Sequence, residues 1–245
     1  MKIYCKDNLE LLKELNDNSI DLIYSDILYG TNRNFGEYID ISVDEVEEHY
    51  IPRIKEMYRV LKNTGTIVLQ MDPKISYKLR YILNDIFGEE NFRNEIIWAY
   101  NSAPRKKGCF GFRHDVILRY SKSNEFTFNE IREPYSLTAP RGYAKEKYYN
   151  PDGKVLGDVW NIPILGQNDK TERTGYPTQK PLQLVNTIIN SMSNEGDLVA
   201  DFYLGSGTTA ESCLINNRHF IGCDISENAV NICKNRLNKY SNKLF

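Results

Sequence analysis

Short apolar runs alternate with helical periods of leucine, isoleucine and valine along most of the chain. A strand pattern over residues 2–4 precedes leucines at helical spacing over 9–15, and a second apolar run over 20–25 ends at Asp26. This order predicts a β-α-β unit. Ser42 with Glu45 has the spacing of a capping box, and a helical period continues to residue 61. We expect a kink at Pro52, or the main part of the helix beginning there.

The pattern is regular again further on, apart from two irregular stretches. Strands are predicted over 66–71, 95–100, 116–120, 198–202 and 219–224, and helices over 75–87, from 181 to near 196, over 208–215 and over 229–237. The runs at 95–100 and 116–120 fit a hairpin at a sheet edge. Residues 101–114 and 129–175 show no clean period, and stretches of this length in compact domains are usually functional or disordered. The pattern predicts an α/β fold with helices on both faces of a twisted, mostly parallel sheet and an antiparallel strand at one edge.

Length and composition agree with this class. A chain of 245 residues with 41% hydrophobic and 26% charged residues is typical of a globular α/β domain with one insertion, although two small domains also fit. The five cysteines contain no C-x-x-C pair and the three histidines are scattered, so we expect no metal site and mostly buried, reduced thiols. No apolar run approaches the length of a membrane span, which predicts a soluble, cytoplasmic protein.

Charge is distributed unevenly along the chain. Residues 101–150 contain ten Lys or Arg against five Asp or Glu, whereas the whole chain has a net charge of -2. A basic segment of this kind suits contact with nucleic-acid phosphates. A solvated, lysine-rich loop is the alternative. The residues that would contact DNA are Arg105, Lys106, Lys107, Arg113, Arg141, Lys145 and Lys147.

A glycine-rich turn near the end of the chain indicates a ligand site. The predicted strand ending at Asp201 runs into Gly205-x-Gly207 and then a helix, an order that lets backbone N–H groups approach a ligand. Asp224 lies 19 residues after Gly205, at the end of the next strand, where a carboxylate can accept ribose hydroxyls. Ala210 completes a G-x-G-x-x-A spacing, so a dinucleotide is a rival ligand. An ordinary glycine turn is the simplest alternative.

An Asp-x-x-Tyr sequence, Asp26 to Tyr29, follows the second predicted strand and precedes Gly30. This places a carboxylate and an aromatic ring where they can hold a flat substrate that bears an amino group. In an open α/β sheet, loops at the carboxyl ends of neighbouring strands form one crevice. We therefore expect the Asp26 and Gly205 loops to meet.

Together the two loops resemble the S-adenosylmethionine-dependent DNA amino-methyltransferases, and in particular the beta-type members, in which the catalytic loop precedes the cofactor loop. The resemblance covers nearly the whole chain, and no catalytic His, Lys or Tyr-x-x-x-Lys arrangement supports a nicotinamide enzyme. The matching segments are 50–62, 91–98, 173–181 and 201–209.

The resemblance implies roles for individual residues in holding S-adenosylmethionine. Asp224 would bind the ribose, Asp7 and Asn8 the adenine edge, and Thr178, Gln179 and Lys180 would close the methionine pocket. For Lys180 a solvated surface lysine is the alternative. Asp201 would be a further cofactor-binding residue, and the residues around the methionine end would be Phe202, Gly205, Ser206, Gly207 and Thr208.

The resemblance also implies the reaction. Asp26 and the backbone carbonyl at Ile27 would accept both hydrogens of an exocyclic amino group, and Tyr29 would stack on a base flipped out of the duplex. Family members usually have Asp-Pro-Pro-Tyr in this loop, and an Asp in first place points to adenine more often than cytosine. Here Ile27 and Leu28 replace both prolines, which adds two N–H donors and loosens the loop.

Several alternatives stay open at this point: a weakened or non-catalytic DNA-binding homologue, a cytosine-N4 enzyme, and a methyltransferase of another amino or amide substrate such as protein or ribosomal RNA. A cytosine-carbon enzyme is disfavoured because the chain has no Pro-Cys. We expect residues 1–100 and 173–245 to form the catalytic and cofactor-binding domain and 101–172 a target-recognition insertion. Double-stranded DNA is the expected partner, and a cognate restriction endonuclease and a homodimer are further predictions.

Overall fold

A computed structural model describes residues 1–36, 38–101, 107–135, 150–166, 169 and 171–240. Within these residues the helices are α1 (Asn8–Glu14), α2 (Val46–Val60), α3 (Pro73–Phe87), α4 (Leu182–Met192), α5 (Thr208–Ile215) and α6 (Glu227–Asn238). The strands are β1 (Lys2–Cys5), β2 (Ile20–Asp26), β3 (Leu61–Met71), β4 (Phe92–Ala99), β5 (His114–Ser121), β6 (Arg132–Glu133), β7 (Lys154–Val155), β8 (Val159–Asn161), β9 (Leu198–Asp201) and β10 (His219–Asp224).

Eight strands form one sheet in the order β1-β10-β9-β2-β3-β5-β4-β8. All neighbouring pairs are parallel except those that β5 makes with β3 and β4. The predicted α/β fold with a mostly parallel sheet is therefore confirmed. The position of the antiparallel strand is corrected: β5 lies inside the sheet, because β4 folds back beside it and β8 covers the edge of β4.

The helices lie on both faces of the sheet. Buried side chains of α1, α2 and α3 pack on one face, and those of α4, α5 and α6 pack on the other. Strand alternation distributes the core between the two faces. In β3, Ile67 and Leu69 face the first layer, whereas Val68 faces the second. Three of the cysteines, Cys213, Cys223 and Cys233, are buried, and Cys5 and Cys109 are exposed.

Two local predictions differ from the structure. Helix α2 begins at Val46 and continues through Pro52, because packing of its apolar face against the sheet compensates for the missing N–H. The Glu45 carboxylate does accept from the Ser42 backbone N–H at 2.7 Å, but this contact lies just before the helix. Strands β6, β7 and β8 were not predicted, because two or three residues are too few to show a period. Among the described helices none is long and apolar enough to cross a membrane.

Candidate active site

A cleft of about 950 Å³ opens at the carboxyl ends of β2, β9 and β10. Strands β2 and β9 are neighbours in the sheet, so Asp26 at the end of β2 and the Gly205 loop after β9 line the same cavity. The expected meeting of the two loops is therefore observed. The parallel arrangement explains it, because all three strands end at the same edge.

Most residues named from the sequence line this cleft. They are Asp7, Asn8, Asp26, Ile27, Tyr29, Thr178, Gln179, Lys180, Asp201, Phe202, Gly205, Ser206, Thr208 and Asp224. Gly207 is not among them: it packs against Cys233, where an added Cβ would lie 2.3 Å from the Sγ. Lys107 and Arg113 are exposed. The remaining predicted DNA contacts, Arg105, Lys106, Arg141, Lys145 and Lys147, fall outside the described residues.

The buried Asp201 side chain stabilises the glycine-rich loop through hydrogen bonds from the protein interior. Its side chain is 2% exposed and accepts from the Tyr203 backbone N–H at 3.0 Å and from the Thr209 hydroxyl at 2.6 Å. Burial raises the pKa of Asp201 to about 6, an effect that these hydrogen bonds oppose. The side chain thus orders the loop from inside the protein, which allows the backbone of the loop to face the cleft.

Asp224 reinforces the same loop from the neighbouring strand. Its carboxylate accepts from the backbone N–H groups of Gly205 and Ser226, at 2.8 and 2.9 Å. Gly205 has φ +49° and Gly207 has φ +78°, a region that glycine adopts without strain. The glycines predicted to let a ligand approach are therefore required by the turn itself.

Asp7 and Asn8 lie at the other side of the cleft and are both bound by Arg53. Asp7 caps α1 and pairs with the Arg53 guanidinium at 3.0 Å. Asn8 accepts from the Arg53 Nε at 2.6 Å and donates to the Phe202 carbonyl at 3.1 Å. Arg53 was not singled out from the sequence, because a lone arginine in a helical period carries no distinguishing signal.

The segment before α4 connects the two halves of the cleft. The Gln179 amide oxygen accepts from the Thr174 N–H and hydroxyl, both at 2.8 Å, so Gln179 orders the turn rather than pointing freely into the cleft. Lys180 reaches across to Asp26 at 2.5 Å, and its side chain is 12% exposed. Lys180 is therefore a part-buried partner of the candidate catalytic carboxylate, and the solvated-lysine alternative is excluded.

The loop after β2 is well supported despite the absence of both prolines. The Ile27 N–H donates to the Gln70 carbonyl at 3.1 Å, which extends the β2–β3 pairing by one residue. The Leu28 carbonyl accepts from the Tyr50 hydroxyl at 2.9 Å. Asp40, which is 2% exposed, accepts from the Thr31 N–H at 2.8 Å. The Ile27 N–H, one of the two backbone donors that prolines would lack, thus has a partner. Contacts with the surrounding residues constrain the loop where other family members use proline.

A hydrogen-bond network surrounds the Tyr29 hydroxyl. This hydroxyl lies 2.8 Å from Asp26 Oδ1 and 2.6 Å from Asp115 Oδ2, and Gln70 and Tyr100 also donate to Asp115. A phenol has one proton and can donate to only one carboxylate at a time. Burial raises the pKa of Asp26, and the nearby Asp115 charge adds to this rise, whereas Lys180 opposes it. The two carboxylates therefore compete for the same proton.

Asp115 is the main site residue that the sequence did not reveal. It is 5% exposed and lies near the start of β5, between an exposed basic loop and an apolar strand. In the sequence it is a single acidic residue beside His114. Only the pairing of β5 with β3 brings it next to Gln70 and Tyr29.

The cleft has the chemistry needed for a nucleoside with a charged tail. Carboxylates at Asp7 and Asp224 lie on the side of β1 and β10, whereas Asp26, Tyr29 and Lys180 lie on the side of β2. The same cavity therefore holds hydrogen-bond acceptors for hydroxyl and amino groups on one side. On the other side it holds the Asp26 carboxylate, the Lys180 ammonium and the Tyr29 ring. These residues fit the predicted cofactor.

The model of a family of DNA methylases, covering the N6 and N4 types, matches residues 20–235. Type II methyltransferase M.HpaI of Haemophilus parainfluenzae is 34% identical over 250 residues, which cover 98% of this chain and 75% of that protein. The DNA adenine methyltransferase YhdJ of Escherichia coli (strain K12) is 30% identical and is covered to 80%, with 94% of this chain aligned. This chain belongs to the DNA methylase family.

A solved structure agrees with the fold. The M1.HpyAVI–SAM complex superposes with a TM-score of 0.64 at 24% identity, covering 96% of this chain and 99% of that one. The predicted resemblance to the restriction-modification methyltransferases is confirmed by the family match, and with it S-adenosylmethionine as the cofactor of this methyltransferase.

Proposed function

We propose that this methyltransferase modifies the exocyclic N6 amino group of adenine at a specific site in duplex DNA, with the target base flipped out of the helix. The observation that carries the proposal is the position of the Asp26 carboxylate and the Tyr29 ring in the same cleft as the Gly205 loop. A base stacked inside a duplex cannot place its amino group against Asp26 and Tyr29 within a cleft, so the target must leave the stack.

Bound S-adenosylmethionine supplies an electrophilic methyl group. The lone pair of an exocyclic amino group is delocalised into the ring, and the residues of the loop counter this by holding the amino hydrogens. We assign one acceptor to Asp26 and the other to the carbonyl of Ile27, with Tyr29 stacked on the base. Asp7, Asn8, Asp224 and the segment 178–180 are assigned to the cofactor as the resemblance implies.

The Lys180 contact adds a step to this scheme. Asp26 Oδ2 accepts from Lys180 and Oδ1 lies against the Tyr29 hydroxyl, so both carboxylate oxygens have partners. An incoming amino group must share Oδ2 with Lys180 or displace it. Lys180 therefore favours the ionised form of Asp26 before the base arrives, and one amino hydrogen then shares Oδ2 with Lys180 or displaces it.

The choice of adenine rests on the Asp-first loop, and the name of YhdJ as an adenine enzyme supports it. The family also includes N4 enzymes, so the identity of the methylated nucleoside decides between adenine and cytosine as the target. DNA methylated with labelled cofactor, digested to nucleosides and separated by chromatography with mass detection, should yield N6-methyladenine. N4-methylcytosine would contradict the adenine assignment. DNA binding without any methylated nucleoside would identify a non-catalytic homologue.

Lys180→Met should move the acid limb of the pH profile of kcat to higher pH. The ionised form of Asp26 is the acceptor that we assign to the amino group, and activity is lost as pH falls through its pKa. Burial raises this pKa and Lys180 lowers it, so removing the ammonium raises it further.

The matched control is Lys74→Met, since Lys74 also lines the cleft but makes no ion pair with Asp26. We expect the Lys74→Met profile to keep the wild-type acid limb. If the acid limb of the Lys180→Met profile stays at the wild-type pH, the Lys180–Asp26 ion pair does not determine the pKa of Asp26.

We further propose that the 101–172 insertion recognises DNA, and that Lys107 and Arg113 contact phosphates. Both are exposed, and Phe112 beside them lines the cleft. The backbone carbonyl of Arg113 accepts from the Tyr100 N–H at 2.9 Å, which fixes this end of the loop at the cleft mouth. A restriction endonuclease partner and a homodimer stay predictions of the resemblance.

Replacing Lys107 and Arg113 together by Ala should weaken binding to all duplexes. It should also reduce the magnitude of the slope of log K against log salt concentration by about two. Salt-titrated fluorescence anisotropy measures both quantities. Replacing Lys13 in α1 and Lys234 in α6, both exposed, provides a control that removes the same charge elsewhere. Equal effects in the two double variants would indicate a general charge effect and exclude this loop as the contact surface.

A further inference from the structure

The Asp115 carboxylate, in the wall of the catalytic cleft, accepts hydrogen bonds from three side chains. Oδ2 accepts from the Tyr29 hydroxyl at 2.6 Å and from the Gln70 Nε2 at 2.9 Å, and Oδ1 accepts from the Tyr100 hydroxyl at 3.0 Å. Asp115 is 5% exposed, and within the described ranges no lysine, arginine or histidine lies at ion-pair distance from it. These uncharged donors replace the water that a buried carboxylate loses.

Two of the three donors hold Asp115 in place without Tyr29. The Gln70 side chain is fully buried, and its Oε1 accepts from the Tyr24 hydroxyl at 2.8 Å, so its amide nitrogen faces Asp115. An amide nitrogen can only donate. Tyr100 holds the other carboxylate oxygen. Asp115 is therefore a fixed acceptor to which the Tyr29 hydroxyl binds, rather than a side chain that follows Tyr29.

The single proton of the Tyr29 hydroxyl lies between two carboxylates that differ in their other partners. Asp26 pairs with the Lys180 ammonium, whereas the partners of Asp115 among the described residues are uncharged. An ammonium partner neutralises part of the charge of a carboxylate, so Asp115 is the stronger acceptor for the phenol. The distances agree, at 2.6 Å to Asp115 and 2.8 Å to Asp26.

We propose that Asp115 is a positioning residue of methyl transfer: it binds the proton of the Tyr29 hydroxyl and so leaves the charge of Asp26 to the amino group of the target base. This role rests on the proposed function, in which Asp26 accepts an amino hydrogen and Tyr29 stacks on the base. The hydroxyl lies on the long axis of the ring, so its bond to Asp115 also fixes the direction of that axis in the cleft. A phenol that donated to Asp26 would weaken the bond from Asp26 to the amino hydrogen.

Asp115→Asn removes the charge and can keep all three contacts. The amide oxygen can replace Oδ2 beside Tyr29 and Gln70, and the amide nitrogen can replace Oδ1, where the Tyr100 hydroxyl can accept. The Tyr29 proton then moves to the charged Asp26. The value of kcat on the pH-independent plateau should fall about tenfold, and affinity for S-adenosylmethionine should stay within about twofold of wild type.

The acid limb of the kcat profile separates this role from a purely structural one. Burial raises the pKa of Asp26, and the Asp115 charge adds to the rise, so Asp115→Asn should move the limb to lower pH, opposite to Lys180→Met. The titratable groups around Asp26 are Lys180, Asp115, Tyr29, Asp201, Tyr24 and Tyr38.

Asp72→Asn is the matched control, because it removes the same charge elsewhere in the cleft wall. Asp72 is the N-cap of α3, a position at which Asn is as favourable as Asp. We expect the wild-type plateau and the wild-type acid limb in this variant.

Tyr29→Phe keeps the ring and tests the proposal even if Asp115→Asn does not fold. If the phenol proton lies on the side of Asp115, its removal does not move the acid limb to higher pH, whereas the loss of a donor to Asp26 would do so. Adding Asp115→Asn to Tyr29→Phe should lower the plateau kcat by no more than about twofold, because the hydroxyl through which Asp115 acts is already absent.

A plateau kcat of Asp115→Asn within about twofold of wild type, or an equal fold loss in the wild-type and Tyr29→Phe backgrounds, would overturn the role of Asp115. An acid limb at higher pH in Tyr29→Phe would also overturn it, since Tyr29 would then donate to Asp26. Full activity of Asp26→Ala would overturn the proposed function and this role with it. N4-methylcytosine as the product, with the expected pattern among the variants, would contradict the adenine assignment alone and support the role of Asp115.

Discussion

Asp26→Ala should reduce kcat for methyl transfer at least about a thousandfold. The carboxylate is the acceptor that we assign to the amino group, and its side chain is 21% exposed at the base of the cleft, where water cannot fully replace it. The Ile27 carbonyl alone would leave one amino hydrogen without its acceptor. Single-turnover assays with labelled S-adenosylmethionine and duplex DNA measure the effect.

The same variant should bind S-adenosylmethionine nearly as well as wild type, because the residues assigned to its adenosine lie on the other side of the cleft. Asp26→Asn is the isosteric companion: it keeps the size but removes the charge and leaves Lys180 without its counter-ion. We expect it to be nearly as inactive as Asp26→Ala. Full activity of Asp26→Ala would exclude the proposed role, whereas loss of cofactor binding together with activity would indicate that Asp26 acts on the fold of the cleft.

Gly207→Ala should destabilise the protein by about 2–4 kcal/mol, which combines backbone strain with overpacking. Gly207 has φ +78° at the start of α5, and an added Cβ would lie 2.3 Å from the Cys233 Sγ and 2.7 Å from its Cβ. Cys233 is fully buried and cannot move aside. The melting temperature should fall by about 5 °C or more, and affinity for S-adenosylmethionine should fall with it, because the turn carries Gly205 and Ser206.

Gly175→Ala is a close control. Gly175 has φ +92°, and nothing lies within 4 Å of an added Cβ, so this variant introduces backbone strain without a clash. The difference between the two melting temperatures measures the contribution of the Cys233 contact. Equal losses in both variants would show that the close packing of α5 on α6 is not required.

Predictions were reliable where glycine or polar residues marked the ends of an element. The helix of 208–215 and the strand of 219–224 agree with α5 and β10, because residues of these types bound each segment. The meeting of the Asp26 and Gly205 loops was also predictable, since parallel strands in an α/β sheet end at one edge. The prediction of irregular structure over 129–175 missed β8, which pairs with β4 over three residues.

The sequence by itself determined the α/β fold, the two loops and the resemblance that names the cofactor, because these depend on local periods and on short motifs. The tertiary structure alone decided what each side chain contacts. Lys180 could have been a solvated lysine, but α4 packs so that it pairs with Asp26. Asp115 and Arg119 belong to the same strand and are unremarkable in sequence. Pairing with β3 brings Asp115 beside Gln70 in the catalytic network, whereas Arg119, four residues further along on the same face, is buried against the Phe126 and Phe128 rings, since burial is a property of the assembled sheet.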